Sequence, residues 1–224
     1  MKRFILVDDH PVFRQGLAAL IQSEPSYKVV AETSSIEEVL EVLPRVRADI
    51  ILVDITLHNQ NGLDLARTLR SQEPDLPILM VSMHDEGVYA QRALQTGARG
   101  YVMKHASPDV LMEAIRTVLA GKIYLSPAIQ GRILESMYGQ NQQGSSGTAA
   151  LIDRLSQREL EIFQYIGQGF GASEIADILN LSVKTVHTYR DHLKEKLQID
   201  NAQELRRFAI KWHQSLHGAP GTAP

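Results

Sequence analysis

The first 125 residues of the chain alternate two hydrophobic patterns. Short uninterrupted apolar runs are typical of strands buried on both faces of a parallel sheet, and the segments between them carry apolar residues at helical spacing. The predicted strands are Phe4–Val7, Lys28–Ala31, Ile50–Val53, Ile78–Val81 and Tyr101–Met103. Five strands that alternate with five helices predict a doubly wound α/β domain around a five-stranded parallel sheet.

Helical periodicity alone continues after residue 125. A helix is predicted over Ser126–Tyr138, and the polar, glycine-rich segment Gly139–Gly147 is typical of a flexible linker. Ser156-Gln-Arg-Glu159 then fits a capping box at the start of a helix. A short helix, Ser173–Leu179, a turn and a longer helix, Val183–Leu197, predict a helix-turn-helix.

These patterns divide the chain into four parts. Residues 1–122 form the α/β domain, and residues 123–150 form a linker helix followed by a flexible linker. Residues 151–217 form a small all-α helix-turn-helix domain, and the Gly/Ala/Pro-rich residues 218–224 are expected to be a disordered tail.

Composition narrows the class of protein further. The chain has 224 residues, of which 44% are hydrophobic and 22% are charged, as is ordinary for a soluble globular protein. It has no cysteine, which excludes disulfides, thiol catalysis and cysteine-ligated metal sites. Because no stretch resembles a signal-peptide core or a membrane helix, we expect a cytoplasmic protein without membrane contact.

The net charge of −3 gives neither domain a basic excess. Residues 1–125 hold 13 Lys and Arg against 16 Asp and Glu, and residues 151–224 hold nine of each sign. Binding to DNA must therefore depend on a local cluster and a motif.

Polar residues collect where the predicted strands end. Asp8 and Asp9 follow the first strand, Asp54 the third, Ser82 the fourth and Lys104 the fifth. Because the carboxyl ends of parallel strands share one edge of the sheet, we expect these side chains to meet. Two carboxylates about 4 Å apart repel by roughly 4 kcal/mol at an effective dielectric of 20, and Mg²⁺ with its preference for oxygen ligands removes that repulsion. Each residue alone could simply cap a helix or be solvated, but the joint arrangement favours a site.

The same residues resemble those of a known family. Ile5-Leu-Val-Asp-Asp-His-Pro11, Val53-Asp54 with Gly62 eight residues further on, Val81-Ser82 and Lys104 resemble the flavodoxin-like receiver domain of response regulators. The resemblance covers residues 1 to about 120 and implies that a sensor histidine kinase phosphorylates Asp54.

The resemblance also implies a Mg²⁺ site. Asp9, Asp54 and the backbone carbonyl of Thr56 would bind the ion directly, and Asp8 would help through water. An aspartate nucleophile needs its phosphoryl oxygens neutralised during transfer, which a cation can do.

Three further residues are implied in the response to phosphorylation. Lys104 would pair with the phosphoryl group, Ser82 would move to hydrogen-bond it, and Tyr101 would rotate inward as Ser82 moves. The new bonds would bias a two-state element made of the fourth strand, the loop after it and the next helix.

Histidines mark one departure from the family. His58 stands where the family often has proline, which would stiffen the loop after Asp54. His10, His84 and His105 are also placed in strand-end loops, where they could bind a transition metal or titrate near neutrality; ordinary surface histidines are the alternative.

The second helix of the helix-turn-helix has a polar face beside a buried stripe of Val186, Leu193 and Leu197. Between Lys184 and Lys196 there are four Lys or Arg and two acids, a modest positive excess. A short polar helix with a basic end fits the major groove of DNA, although a small helical interaction domain with a solvated charged face is an alternative. The residues expected to face outward are Lys184, His187, Thr188, Asp191 and Lys194.

A second resemblance covers roughly residues 151–213. Leu155-Ser-Gln-Arg-Glu159, Gly169, Glu174-Ile-Ala176, Leu181-Ser-Val-Lys-Thr-Val186 and Lys196-Leu197 resemble a LuxR-type DNA-binding domain, so the whole chain resembles a NarL/FixJ-type response regulator.

This second resemblance implies roles for the last two helices. The recognition helix would be Val183–Leu197, and a homodimer of the active protein would form through Asn201–Trp212, with an exposed apolar stripe of Leu205, Ala209 and Trp212. Two recognition helices would then bind half-sites about one helical turn apart on double-stranded DNA.

Individual DNA contacts follow from the chemistry of each side chain. Lys184, Arg190 and Lys194 are expected mostly to contact phosphates, and His187, Thr188 and Asp191 mostly to read bases, with Thr185 beside them. His187, Tyr189 and Asp191 depart from the residues that the family often has, which should weaken non-specific attraction to phosphates and make binding depend on dimerisation.

Two other classes of protein remain as rivals to a non-enzymatic transcription factor. A phosphatase of the haloacid-dehalogenase type would also use Asp54 as a nucleophile, but it needs a second acid where this chain has Thr56. A phosphotransfer or scaffold protein would act through protein contacts alone, and binding to duplex DNA would exclude it.

Overall fold

A computed structural model describes residues 1–58, 60–131, 151–152 and 154–216, with the backbone alone of Gln157. The chain divides into two compact units, Met1–Met137 and Tyr138–Pro224. The predicted linker Gly139–Gly147, the predicted tail 218–224 and residues 132–138 of the predicted linker helix lie outside the described residues. In the part of the chain that is described, no helix has the length and apolar character needed to cross a membrane.

The first unit is a doubly wound α/β fold, as the alternating pattern predicts. The elements are β1 (Lys2–Val7), α1 (Pro11–Gln22), β2 (Tyr27–Thr33), α2 (Ile36–Val42), a 3₁₀ turn (Leu43–Arg45), β3 (Ile50–Val53), β4 (Thr56–Leu57), β5 (Gln60–Asn61), α3 (Gly62–Gln72), β6 (Ile78–Ser82), α4 (Glu86–Gln95), β7 (Gly100–Met103) and α5 (Pro108–Leu119). The five-stranded parallel sheet has the order β2-β1-β3-β6-β7, and β4 and β5, of two residues each, form a separate hairpin.

Burial on both faces explains the uninterrupted apolar runs of the central strands. All four residues of β3 and all five of β6 are buried, since helices cover both sides of a doubly wound sheet. The register aligns the strand ends, because Val7 pairs with Val53 and Val53 with Met80. The residues that follow β1 and β3 are therefore brought side by side at one edge of the sheet.

The chain returns to the sheet after α5. Tyr124 forms a parallel bridge with Gly100, so residues beyond α5 run along the outer edge of β7. Ser126 then precedes a helical segment over residues 127–131, which agrees with the start of the predicted linker helix.

The second unit contains the four predicted helices of the C-terminal domain. They are α6 (Gln157–Gly167), α7 (Ala172–Ile178), α8 (Val183–Leu197) and α9 (Ala202–Leu216). Ser156 and Glu159 form the predicted capping box at the start of α6. The helix α9 continues four residues beyond the predicted end at Trp212.

The apolar stripe of α9 packs inside this unit. Leu205 and Ala209 are fully buried, and the rings of Phe208 and Trp212 lie 5.7 Å and 5.2 Å from the ring of Phe163 on α6. The expectation of an exposed stripe is therefore wrong for Leu205 and Ala209, whereas Trp212 is partly exposed. Helical spacing predicts that a helix has an apolar face, but it does not tell which surface covers that face.

Candidate functional site

The three predicted acids meet at the carboxyl edge of the sheet. Asp8 and Asp54 are each 3% exposed, and the side chain of Asp9 is 12% exposed. Ligand atoms of these three residues and of His10 lie within 4.8 Å of one another, a span that suits a single metal ion. The Nδ1 atom of His10 lies 2.7 Å from Oδ1 of Asp9, so the imidazole also borders the acidic cluster.

Lys104 is the buried cation of the pocket. Its Nζ atom lies 2.7 Å from Oδ2 of Asp8 and 2.7 Å from Oδ2 of Asp54, and its side chain is only 4% exposed. The same ammonium lies 4.6 Å from the centre of the Phe13 ring on α1, which adds a cation–π contact. One lysine thus joins carboxylates from two strands and orients that of Asp54.

The Asp54 carboxyl is held in an environment that disfavours its charge. Burial raises the pKa of Asp54 from its ordinary 3.8 to about 6, although Lys104 acts in the opposite direction. Its Oδ1 atom is buried and has no hydrogen-bond partner among the described residues. A buried carboxylate oxygen without a partner is costly, and a cation or a donor group would satisfy it.

Gly62 allows the first turn of α3 to lie against the backbone of Asp54. A Cβ atom at residue 62 would lie 1.8 Å from the carbonyl oxygen of Asp54, which no real contact permits. The position eight residues after Asp54 therefore has a steric requirement for glycine.

The predicted switch residues Ser82 and Tyr101 are both buried. Ser82 ends β6 with 1% exposure, and the fully buried Tyr101 donates its hydroxyl to the carbonyl oxygen of His84 at 2.7 Å. Through this hydrogen bond Tyr101 joins β7 to the loop after β6. The hydroxyl remains hydrogen-bonded there, which makes burial of the tyrosine ring tolerable.

The loop after Asp54 has two features that the sequence did not predict. The hydroxyl of Thr56 lies 2.8 Å from Nε2 of His84, which joins this loop to the one after β6. His58 has a φ of 52°, in the left-handed region, and its N–H donates to Oδ2 of Asp9 at 2.7 Å. Proline cannot adopt this φ and has no N–H, so the loop differs from one with proline at this position.

The helix α8 presents the polar face that the sequence predicts. Val186, Leu193 and Leu197 are buried, whereas Lys184, His187, Thr188 and Asp191 are exposed. Ser182 caps the helix by accepting a hydrogen bond from the N–H of Thr185 at 3.0 Å. Thr185, Arg190 and Lys194 are partly buried at the border of the exposed face.

Ion pairs reduce the positive charge that α8 offers. The Nζ atom of Lys194 lies 2.9 Å from Oδ1 of Asp191, and the hydrogen bond from Lys194 lowers the pKa of that aspartate. Lys196 lies 2.7 Å from the buried Glu159 of α6. Burial acts to raise the pKa of Glu159, but bonds from Lys196 and Ser156 hold it below its ordinary value. The basic residues of α8 are thus partly used within the fold.

Two family models together span most of the chain. Residues 4–116 match the response regulator receiver domain, and residues 153–209 match the luxR family of bacterial regulatory proteins. The chain therefore belongs to the response regulators of the NarL/FixJ type, in which a receiver domain is combined with a LuxR-type DNA-binding domain.

Similar proteins include a transcriptional regulatory protein and an oxygen regulatory protein. The transcriptional regulatory protein DegU of Brevibacillus brevis is 30% identical over 219 residues, which cover 93% of each chain. The oxygen regulatory protein NreC of Staphylococcus carnosus is 30% identical over 210 residues, covering 93% of this chain and 97% of NreC. The present chain is likewise a response regulator with a helix-turn-helix for transcription regulation.

Solved structures show the same folds. A LuxR-family two-component response regulator from Aurantimonas sp. SI85-9A1 is 37% identical, with a TM-score of 0.57, over 61% of this chain and 97% of its own. The RcsB response regulator of Salmonella typhimurium covers 94% of this chain and 98% of its own with a TM-score of 0.56, and at 24% identity this likeness concerns the fold.

Proposed function

We propose that the protein is a cytoplasmic transcription factor, not an enzyme, whose DNA binding is controlled by phosphorylation of Asp54. The phosphoryl donor would be a phosphohistidine on a sensor histidine kinase. The observation that carries this proposal is the buried Asp54 carboxylate, which contacts Lys104 on one oxygen and has no described hydrogen-bond partner on the other. A carboxylate positioned in this way is an oriented nucleophile with space for an electrophile.

The transfer itself exchanges one bond for another. A carboxylate oxygen of Asp54 forms a P–O bond as the P–N bond to the kinase imidazole breaks, and that imidazole leaves with the bonding electrons and takes up a proton. Lys104 can follow the developing charge, because its ammonium already lies within hydrogen-bond distance of Asp54.

Mg²⁺ is the proposed cofactor. The donor set fits this ion, since Asp8, Asp9 and Asp54 offer carboxylate oxygens within a small span and the Thr56 carbonyl is the further ligand that the family resemblance implies. When bound, the ion would neutralise the clustered acids and the phosphoryl oxygens.

Phosphorylation would act on the C-terminal unit through Ser82 and the loop after it, and the active form would be a homodimer on double-stranded DNA. A dimer face on α9 would include Trp212, which is partly exposed, but not the buried Leu205 and Ala209. On α8, Lys184, Arg190 and Lys194 would contact phosphates, while Thr185, His187, Thr188 and Asp191 would lie along the base edges.

Phosphoramidate tests the proposal because its P–N bond matches that of phosphohistidine. With Mg²⁺, intact-mass spectrometry should show one added phosphoryl group on the wild type and on the exposed-residue control Asp75→Asn, but none on Asp54→Asn. Genome-wide footprinting should show phosphorylation-dependent sites for the wild type that Asp54→Ala lacks. Modification at another residue, or steady release of phosphate from small phosphate esters, would contradict the proposal.

A further inference from the structure

Residues 122–131, here named the linker strap, lead from α5 toward the C-terminal unit and are fastened to the edge of β7. The N–H of Tyr101 donates to the carbonyl of Tyr124 at 3.1 Å, and the N–H of Tyr124 donates to the carbonyl of Arg99 at 2.9 Å. Leu125 and Ile129 are buried, with 6% and 5% exposure. The strap is thus a packed part of the receiver before the chain continues to residue 132.

One side-chain bond joins the strap to a different element. The hydroxyl of Ser126 donates to Oε1 of Glu86 at 2.5 Å, across 40 residues of sequence. Glu86 is in the first turn of α4. Ser126 also accepts a bond from the N–H of Ile129 at 3.3 Å, so it caps the helical segment that follows. The strap's helix therefore begins at a residue that is bound to α4.

The same end of α4 is connected to the phosphoacceptor pocket. Only three residues separate Glu86 from Ser82, and the N–H of His84 between them donates to the Ser82 hydroxyl at 3.3 Å. Tyr101 bridges both sides, because its side chain binds the carbonyl of His84 while its backbone binds Tyr124. A displacement of Ser82 toward Asp54 would therefore displace the first turn of α4, and with it the acceptor of the Ser126 bond.

We propose that the Glu86–Ser126 bond is the contact through which the receiver controls the linker strap. The bond holds the strap in the resting conformation, and phosphorylation breaks it by moving the start of α4. This inference rests on the proposed phosphorylation of Asp54. Glu86 and Ser126 are positioning residues, since neither is part of the acidic pocket, and their effect is to couple that pocket to the chain leading out of the receiver.

Hydrogen–deuterium exchange of the full-length protein tests this coupling at the strap itself. The probe is beryllofluoride with Mg²⁺, and the readout is the exchange of peptides within residues 122–131. Glu86→Asp is the informative variant. It keeps the acidic first turn of α4 and the Ser126 cap, but its carboxylate is about 1.5 Å shorter in reach. Ser126→Thr keeps the hydroxyl, and Glu41→Asp is a matched control on the exposed face of α2.

We expect beryllofluoride to raise strap exchange in the wild type by about three- to tenfold, the population factor that corresponds to about 0.7–1.4 kcal/mol. In Glu86→Asp, exchange should already be raised about three- to tenfold at rest and respond less than about twofold further. Ser126→Thr and Glu41→Asp should behave as the wild type. The proposal would be overturned if the strap of Glu86→Asp exchanged as slowly as that of the wild type without beryllofluoride and responded to beryllofluoride as fully.

Fluorine-19 NMR of the same samples distinguishes a failure of the coupling from a failure of the phosphoacceptor assignment. A bound beryllofluoride signal without any change in strap exchange would refute the coupling and leave Asp54 as phosphoacceptor. Absence of a bound signal from the wild type would refute the phosphoacceptor assignment, and the coupling with it.

Discussion

Lys104 and Asp54 form a buried ion pair with an N···O distance of 2.7 Å, and the same ammonium lies 2.7 Å from Asp8. One cation therefore serves two carboxylates that approach from separate strands. Because this cation opposes the larger effect of burial on the pKa of Asp54, it extends the pH range in which the nucleophile is ionised toward lower pH.

Replacing Lys104 by methionine should shift the pH dependence of phosphorylation. Without the ammonium, the pKa of Asp54 should rise above about 6, so the ionised nucleophile forms only at higher pH. In the pH profile of the reaction rate with phosphoramidate, the acid limb should therefore shift to higher pH. Lys122→Met, at an exposed position, is the control. Superimposable acid limbs for wild type and Lys104→Met would contradict this assignment.

Asp54→Asn should stabilise the receiver at neutral and alkaline pH. Since the folded-state pKa is raised from 3.8 to about 6, the stability from this group is present below the unfolded pKa and is lost as pH rises through about 6. In EDTA at about pH 8 the variant should gain about 1–3 kcal/mol, and the gain should vanish below about pH 4. The free energy of unfolding of the receiver is measured by urea unfolding, monitored through hydrogen exchange in β1 and β3. A gain in this free energy that is constant with pH would argue against the prediction.

His58→Pro should destabilise the loop after Asp54, whereas His58→Gly should be nearly neutral. The φ of 52° suits glycine but is inaccessible to proline, which also removes the N–H that binds Asp9. We expect a loss of about 1–3 kcal/mol for the proline variant. Thermal unfolding measures stability, and a Mg²⁺ titration should show weaker binding, because Asp9 loses a positioning bond. A proline variant as stable as the wild type would refute the left-handed conformation of His58.

Asp191→Asn should strengthen DNA binding on all sequences. The change removes a negative charge and releases Lys194 from a pair at 2.9 Å, so one more phosphate can be neutralised. The slope of log K against log salt should steepen by about 1, measured by fluorescence anisotropy on a random-sequence duplex. Glu195→Gln, one turn away on the same helix, is a matched control for net charge. An unchanged affinity and salt slope on the random-sequence duplex would contradict this prediction.

Leu205→Ala should destabilise the C-terminal unit rather than simply weaken a dimer. The side chain is fully buried within that unit, and truncation of such a leucine costs about 2–5 kcal/mol. Trp212, the only tryptophan of the chain, lies against Phe163 in the same core and reports unfolding by fluorescence. A variant with unchanged unfolding but a lost dimer would restore the exposed stripe.

The sequence allowed the central architecture and the pocket to be predicted, because parallel strands impose both. Strands buried on two faces have uninterrupted apolar runs, and their carboxyl ends must share an edge, which placed Asp8, Asp54 and Lys104 together. The β4–β5 hairpin escaped prediction, since two-residue strands are too short to show periodicity.

Side-chain partners across elements were beyond prediction from one sequence. Nothing in the order of residues pairs Glu86 with Ser126 or Thr56 with His84, because such contacts depend on how loops from different strands are placed. The burial of Leu205 and Ala209 could not be predicted for a similar reason, since the spacing of apolar residues on a helix does not specify the surface that covers them.

The close approach of α3 to the backbone of Asp54 limits how this protein can evolve. Even a methyl group at residue 62 would collide with the peptide that carries the nucleophile. A lineage that lost this glycine would have to relocate the carboxylate, while the helix-turn-helix, in the other unit, could keep its sequence. Such a descendant would retain the C-terminal fold but would lack a nucleophile at this edge of the sheet.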